Sequence, residues 1–186
     1  MAWVKFSRAE VFFAECAREM IAQNNMVTPL YHGQPFFDKP ILSYWFIIAM
    51  FKSFGVSHWA ARVPSIIAAL GTIAITGWIG RKVATTKAST AGIVSAMLLA
   101  SSFMFFSFAY LCMSDMTLVL FDTISLTLLY AGVVNAQKRG LLWWLASVGM
   151  GLAFVTKGPV GIVLPGISLI AYLGFTRQLK IIKPSY

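Results

Sequence analysis

Long uncharged apolar runs alternate with short charged breaks over most of the chain. Residues 63–80, 88–114, 141–156 and 160–175 contain no charged side chain, and 116–137 contains only Asp122. A spanning helix needs about 20 predominantly apolar residues, so this pattern predicts five crossings at those positions, the first completed by its flanks. Before them the pattern changes. Residues 9–23 read as an amphipathic helix, with Phe13, Ala17, Met20, Ile21 and Asn24 on one face and Glu15, Arg18, Glu19 and Ala22 on the other. It is too charged to span and is expected to lie along the membrane interface. Pro29 ends it, residues 32–35 form a turn, and 41–54, interrupted by Lys52, make a second interfacial or partly buried helix.

Composition supports the same picture. Hydrophobic residues make up 59% of the 186, charged residues 11%, and mean hydropathy is +0.77, whereas a soluble domain carries about 25% charged residues. The predicted fold class is therefore all-α: a polytopic transmembrane helical bundle with interfacial helices in a first external loop. It divides into an extracytoplasmic or interfacial segment (1–62), five transmembrane helices (63–176) and a cytoplasmic basic tail (177–186). The formal net charge of +9 argues against nucleic acid as a partner, because the cations sit in short loops between apolar runs, as in proteins oriented by membrane lipid. Arg81–Lys82–Lys87, Lys138–Arg139 and Arg177–Lys180–Lys183 have no acid among them and are expected on the cytoplasmic side. Counting helices then puts the 1–62 segment, Asp115 and Lys157 together on the opposite face of a multi-pass protein of the cell (inner or plasma) membrane. The count also suggests a helix preceding residue 1. No secretory signal peptide is read in the first residues. Cys16 and Cys112 are too few for a disulfide framework and are expected to be structural thiols.

Candidate chemistry gathers on that outer face. The 8–62 stretch holds four of the six acidic residues, and an ionisable residue at a helix end in a membrane protein is a functional candidate. Asp115 stands between two crossings, and Asp122, two turns deeper, is expected to pair within the bundle. Lys157 can snorkel as an anchor or hold a phosphate. Asp38 and Lys39, stiffened by Pro35 and Pro40, suit a phosphate-bearing lipid: the lysine binds phosphate, and the aspartate orients the lysine or ligates a divalent cation. The competing reading is a solvated local ion pair. His32 and His58 have no partner at metal-ligand spacing, and no metal site is assigned.

The stretches EVFFAECAREM (10–20), TPLYHGQPFFDKPILSYW (28–45), FGVSHWAARVPS (54–65), SDMTL (114–118) and TKGPVGIVLPG (156–166) occur in an order that resembles the N-terminal part of polyprenyl-phosphate-sugar-dependent membrane glycosyltransferases. These are the GT-C enzymes of the protein mannosyltransferase and aminoarabinose transferase type. The resemblance implies transfer of a sugar from a polyprenyl-phosphate donor to a protein, lipid or glycan acceptor outside the cytoplasm. Asp115 matches the family's second acidic residue, Lys39 the lysine of its Asp/Glu-Lys-Pro motif, Asp38 the acid before it, and Lys157 its Thr-Lys-Gly lysine; Arg62 is counted with the substrate-binding residues. One departure stands out: where the family has Asp-Glu at the start of the first interfacial helix, this chain reads Ala9-Glu10. Glu10 is the acid expected to take over, although a helix turns about 100° per residue. The chain matches roughly the first third of such enzymes, so a truncated product acting with the remainder of the enzyme is one expectation. A non-catalytic scaffold that binds lipid phosphate is the alternative from another class. A transporter ranks below both, since transporters place polar sites at the midplane.

Overall fold

The structure, a computed structural model, describes residues 8–178. Lys180 and Lys183 of the expected tail lie outside the described residues, as do the side chains of Arg8 and Ala9. The chain runs α1 (Arg8–Ala22), β1 (Leu30–Tyr31), β2 (Gln34–Pro35), α2 (Leu42–Phe54), α3 (His58–Val83), α4 (Ala88–Ser101), α5 (Phe103–Ala109), α6 (Asp115–Val134), α7 (Arg139–Lys157) and α8 (Val160–Phe175). The two strands have two residues each, and the fold is a helical membrane bundle, as the hydrophobic pattern requires.

Among the described residues three helices, α3, α6 and α7 with the short turn before it, are each long and apolar enough to cross a membrane, and the α4–α5 pair makes a fourth if it is one broken span. The uncharged run 88–114 does not form one rod: α4 and α5 meet at 70°, with Ser102 extended between them (φ −64°, ψ 120°). Hydropathy alone cannot register such a break, because Ser101 and Ser102 are uncharged; the Ser101 hydroxyl donates to the Leu98 carbonyl, and serine pairs are a known cause of sharp bends. Helix α8 has 16 residues, about 24 Å of rise, against a hydrocarbon core of about 30 Å.

Successive long helices run antiparallel and close on small residues, the usual solution where lipid removes any hydrophobic drive for helix pairing. Helices α3 and α4 cross at Gly77 and Gly92, where a Cβ on Gly92 would stand 2.7 Å from the Gly77 carbonyl oxygen. Gly149 of α7 faces Ser125 of α6, and a Cβ on Gly161 of α8 would meet Ala153 backbone at 2.6 Å. This antiparallel order separates two ends. Arg81, Lys82, Lys87, Lys138, Arg139 and Arg177 collect at one; α1, the hairpin, α2, Asp115 and Lys157 collect at the other.

At the second end α1 and α2 form a cap with its own core. Tyr44, Ile47, Ile48 and Phe51, at helical spacing on α2, pack against Phe13, Cys16, Ala17 and Met20 of α1 and against Ala60, Ala61 and Cys112. Helix α1 closes in a Schellman motif: Asn24 is left-handed (φ 49°), its N–H donates to Ile21, and the Asn25 N–H donates to Met20. Asn24, expected on the apolar face, is therefore the exposed cap. Glu19 is also placed differently from the helical-wheel expectation. It is buried, and its carboxylate accepts the His32 N–H at 2.8 Å and the Gly33 N–H at 3.0 Å. Those are the two residues of a hairpin turn with positive φ (53° and 75°) between Tyr31 and Gln34, the geometry of a two-residue I′ connection. Phe12, Tyr31 and Phe36 pack their rings within 5.6 Å of one another over this turn, which fixes where the chain emerges towards Asp38 and Lys39.

Candidate functional site at the polar end of the bundle

Four opposite-charge pairs stand at this end among the described residues; Glu15–Arg18 lies within α1, and the other three involve the candidate residues. The deepest joins α1 to α3. Glu10 Oε1 accepts from Arg62 Nε at 2.9 Å and Oε2 from Nη2 at 3.3 Å, with the side chains 1% and 6% exposed. Oε1 also accepts the Cys112 N–H at 3.0 Å, and the Arg62 guanidinium lies 4.5 Å from the centre of the Tyr110 ring. A buried carboxylate needs such partners, since an unpaired one would cost several kcal/mol. The pair thus holds the loop between α5 and α6 from two sides. Ser65 of α3 adds a third tie by donating to the Met113 carbonyl at 3.2 Å.

That loop delivers Asp115 as the first residue of α6. Its Oδ1 accepts from Nζ of Lys157, the last residue of α7. Each charge suits its helix end, an anion at an N-terminus and a cation at a C-terminus. Gly158 (φ 84°) ends α7 where a side chain would be strained. Ser43 near the start of α2 donates to the Thr156 carbonyl at 3.4 Å, which brings the Lys39–Pro40 approach to α2 beside the end of α7. Unlike Glu10 and Arg62, Asp115 and Lys157 remain partly open, at 23% and 30%. The third pair is the neighbouring Asp38 and Lys39, 3.1 Å apart and more exposed.

The six residues singled out in the sequence, Glu10, Asp38, Lys39, Arg62, Asp115 and Lys157, all lie at this end, as three pairs. Glu10 and Arg62 lie inside it and reach the open site only through the 110–114 loop. Sequence reasoning did not single out Tyr110, the Cys112 N–H, Ser43 or Ser65. Their roles arise from contacts between positions 48 to 113 residues apart, which no local pattern announces. Asp122, expected to pair, is buried with Oδ1 lacking a hydrogen-bond partner among the described residues; the same holds for the Ser114 hydroxyl next to Asp115. Among the described residues no three His, Cys, Asp or Glu side chains converge as a metal site.

The thiols are far from nucleophilic. Burial, reinforced by the Glu10 charge, pushes the Cys112 thiol up to about 12. Burial with the Glu19 and Glu15 charges pushes Cys16 up to about 11. Burial likewise raises the Tyr44 phenol.

Comparison with known proteins gives the arrangement a family. Residues 38–186 match the sequence family described as dolichyl-phosphate-mannose-protein mannosyltransferase. The chain belongs to this family. It is 29% identical over 164 residues to the undecaprenyl phosphate-alpha-4-amino-4-deoxy-L-arabinose arabinosyl transferase 1 of Proteus mirabilis, covering 85% of this chain and 29% of that protein. It is 30% identical over 177 residues to an uncharacterized protein of Aquifex aeolicus, covering 95% of this chain and 35% of that one. Among solved structures, ArnT from Cupriavidus metallidurans in the apo state superposes with a TM-score of 0.85 at 27% identity, over 95% of this chain and 33% of that one. The same protein bound to undecaprenyl phosphate gives 0.82 at 28% identity, over 95% of this chain and 32% of that one. The chain therefore spans about a third of the length of the relatives it matches, and it is a multi-pass membrane protein of their kind.

Proposed function

We propose that this chain supplies the acceptor-side carboxylate and donor-phosphate cations of a membrane glycosyltransferase. Its donor is a polyprenyl-phosphate-linked sugar, and its site opens on the extracytoplasmic face of the cell (inner or plasma) membrane. The observation that carries this reading is the partly open Asp115–Lys157 pair at the meeting of two helix ends, with Ser43 of α2, four residues after Lys39, hydrogen-bonded to the last turn of α7. Family membership supports the donor class, and the cations gathered at the far end support the orientation by the positive-inside rule.

In this reading the acceptor hydroxyl attacks the anomeric carbon as the bond from that carbon to the phosphate oxygen breaks. Asp115 receives the hydroxyl proton, and the polyprenyl phosphate departs with the electron pair. Lys157 and Lys39 meet the charge that grows on the phosphate, a role worth most in a site partly closed to water. Glu10 and Arg62 are positioning residues: they hold the 110–114 loop and through it the start of α6. Asp38 orients Lys39; a divalent cation at Asp38 would need further ligands from elsewhere in the protein.

The test is Asp115→Asn in the polypeptide that carries this chain in the cell, assayed for sugar transfer from a polyprenyl-phosphate donor. Losing a positioned proton acceptor should lower turnover by about a hundredfold or more at an unchanged membrane level. Transfer at the parent rate would overturn the assignment. One observation favours a second reading, binding of lipid phosphate without turnover: Glu10 is sealed in its ion pair and does not offer a free acid where the family's aspartate would precede it. Polyprenyl-phosphate binding by a parent that shows no transfer would establish that reading.

A further inference from the structure

At the end of the bundle far from Asp115, helices α3 and α4 do not close completely. A crevice of about 310 Å³ opens sideways between them, walled by Ile73, Ala74, Trp78 and Ile93 and floored by Gly77 and Gly92. Its existence depends on Gly92, where a Cβ would overlap Arg81 Cγ and crowd the Gly77 carbonyl oxygen. The Arg81 stem therefore crosses the glycine and lines the crevice, and its guanidinium has no hydrogen-bond or ion-pair partner among the described residues. Lys82 stands next to it, its ammonium 5.8 Å from the centre of the Trp78 ring, and Lys87 follows in the connection to α4. No acidic residue lies near. Glu10, Glu15, Glu19, Asp38 and Asp115 are all at the opposite end, and Asp122 is two turns from Asp115.

We propose that this crevice binds an anionic membrane phospholipid of the basic-side leaflet, its phosphate on Arg81 and Lys82 and an acyl chain along Ile73, Ala74 and Ile93. The two halves of the crevice match the two halves of such a molecule. The cations sit at a tryptophan-marked interface, at the C-terminal end of α3 where the helix dipole favours them. The apolar walls continue from there into the depth of the span. A free phosphate would use only the first half. A basic pocket between spanning helices, backed by apolar surface, is the form that recognition of anionic headgroups takes. The site is separate from the proposed transfer site and independent of it.

The experiment uses the complete protein in nanodiscs of phosphatidylcholine containing a minor fraction of phosphatidylglycerol, with retained lipid read by native mass spectrometry. The parent should retain phosphatidylglycerol in preference to phosphatidylcholine. Each cation near an anionic headgroup contributes about a fivefold factor (about 1 kcal/mol). Arg81→Gln should therefore lower the preference about fivefold, and Arg81→Gln/Lys82→Gln about thirtyfold. Ile93→Trp, which fills the crevice from an exposed position, should abolish retention with both cations in place. Lys138→Gln, at the same end but outside the crevice, should change nothing. Equal retention by the double variant, an equal loss in Lys138→Gln, unchanged retention in Ile93→Trp, or displacement of the lipid by inorganic phosphate would each overturn the proposal.

Discussion

Removing the cation from the buried Glu10–Arg62 pair is the sharpest test of how this end is held. Arg62→Met keeps a long apolar stem at a position 5% exposed but leaves the Glu10 carboxylate inside with the Cys112 N–H and without its guanidinium. Breaking a buried pair from one side costs about 3–5 kcal/mol. Loss of the contact with Tyr110 adds about 1 kcal/mol. For 150–250 residues each kcal/mol moves the melting temperature by about 2–4 °C, so the single variant should melt about 8–24 °C lower. Adding Glu10→Gln removes the stranded charge while its amide oxygen still accepts the Cys112 N–H. The double variant should recover half or more of the loss, with a coupling of about 2 kcal/mol or greater in the mutant cycle. The assay is thermal unfolding of the detergent-solubilised protein, followed by size-exclusion chromatography of the surviving fraction. A drop of under 3 °C for Arg62→Met (roughly 1 kcal/mol), or a double variant no better than the single, would refute the view that this pair is a buried structural clamp.

Two further outcomes follow from the same end of the molecule. With its thiol raised to about 12, Cys112 should alkylate with iodoacetamide at pH 8 about a thousandfold more slowly than in the unfolded chain, since only the thiolate reacts. Cys16 should be slowed about a hundredfold, its thiol being raised to about 11. Both rates should climb as pH rises towards those values, and adduct mass spectrometry showing either cysteine modified at the unfolded rate would contradict the burial described. Glu19→Ala leaves two turn N–H groups without their charged acceptor, a loss of about 1.5–3 kcal/mol each. Hydrogen exchange at His32 and Gly33 should then quicken by about tenfold or more, and unchanged protection there would mean that the hairpin holds itself.

Much of this architecture was legible in the sequence because a bilayer makes charge a positional label. The placement of Arg81, Lys138 and Arg177 at one end and of Asp115 and Lys157 at the other follows from counting apolar runs, and the structure keeps that order. What hydropathy could not supply was continuity and direction. Ser102 breaks an uncharged run without leaving a trace in it, and Glu19 turns inward because a hairpin thirteen residues on needs an acceptor. The six residues picked out for chemistry do gather at one end, but a sequence cannot say which of them are open. Glu10 reads as a catalytic acid and Arg62 as a substrate contact, yet the two are buried against each other with Tyr110 and Cys112 packed on them. Asp122 reads like half of a pair, yet its Oδ1 has no hydrogen-bond partner among the described residues.

The clamp on Glu10 also sets an order of events in the making of the protein. Two of its partners arrive 52 and 102 residues later, so during synthesis these contacts form only after the chain between them has been made. Arg62 reaches Glu10 with α3, and the Cys112 N–H only after the bent α4–α5 pair has been laid down. Asp115 enters next, and its lysine is still 42 residues away. The polar end is therefore tied off last, in the sequence Arg62, Cys112, Lys157. A chain that has reached residue 62 but not 112 holds α1 by one of these two ties and not yet by the other.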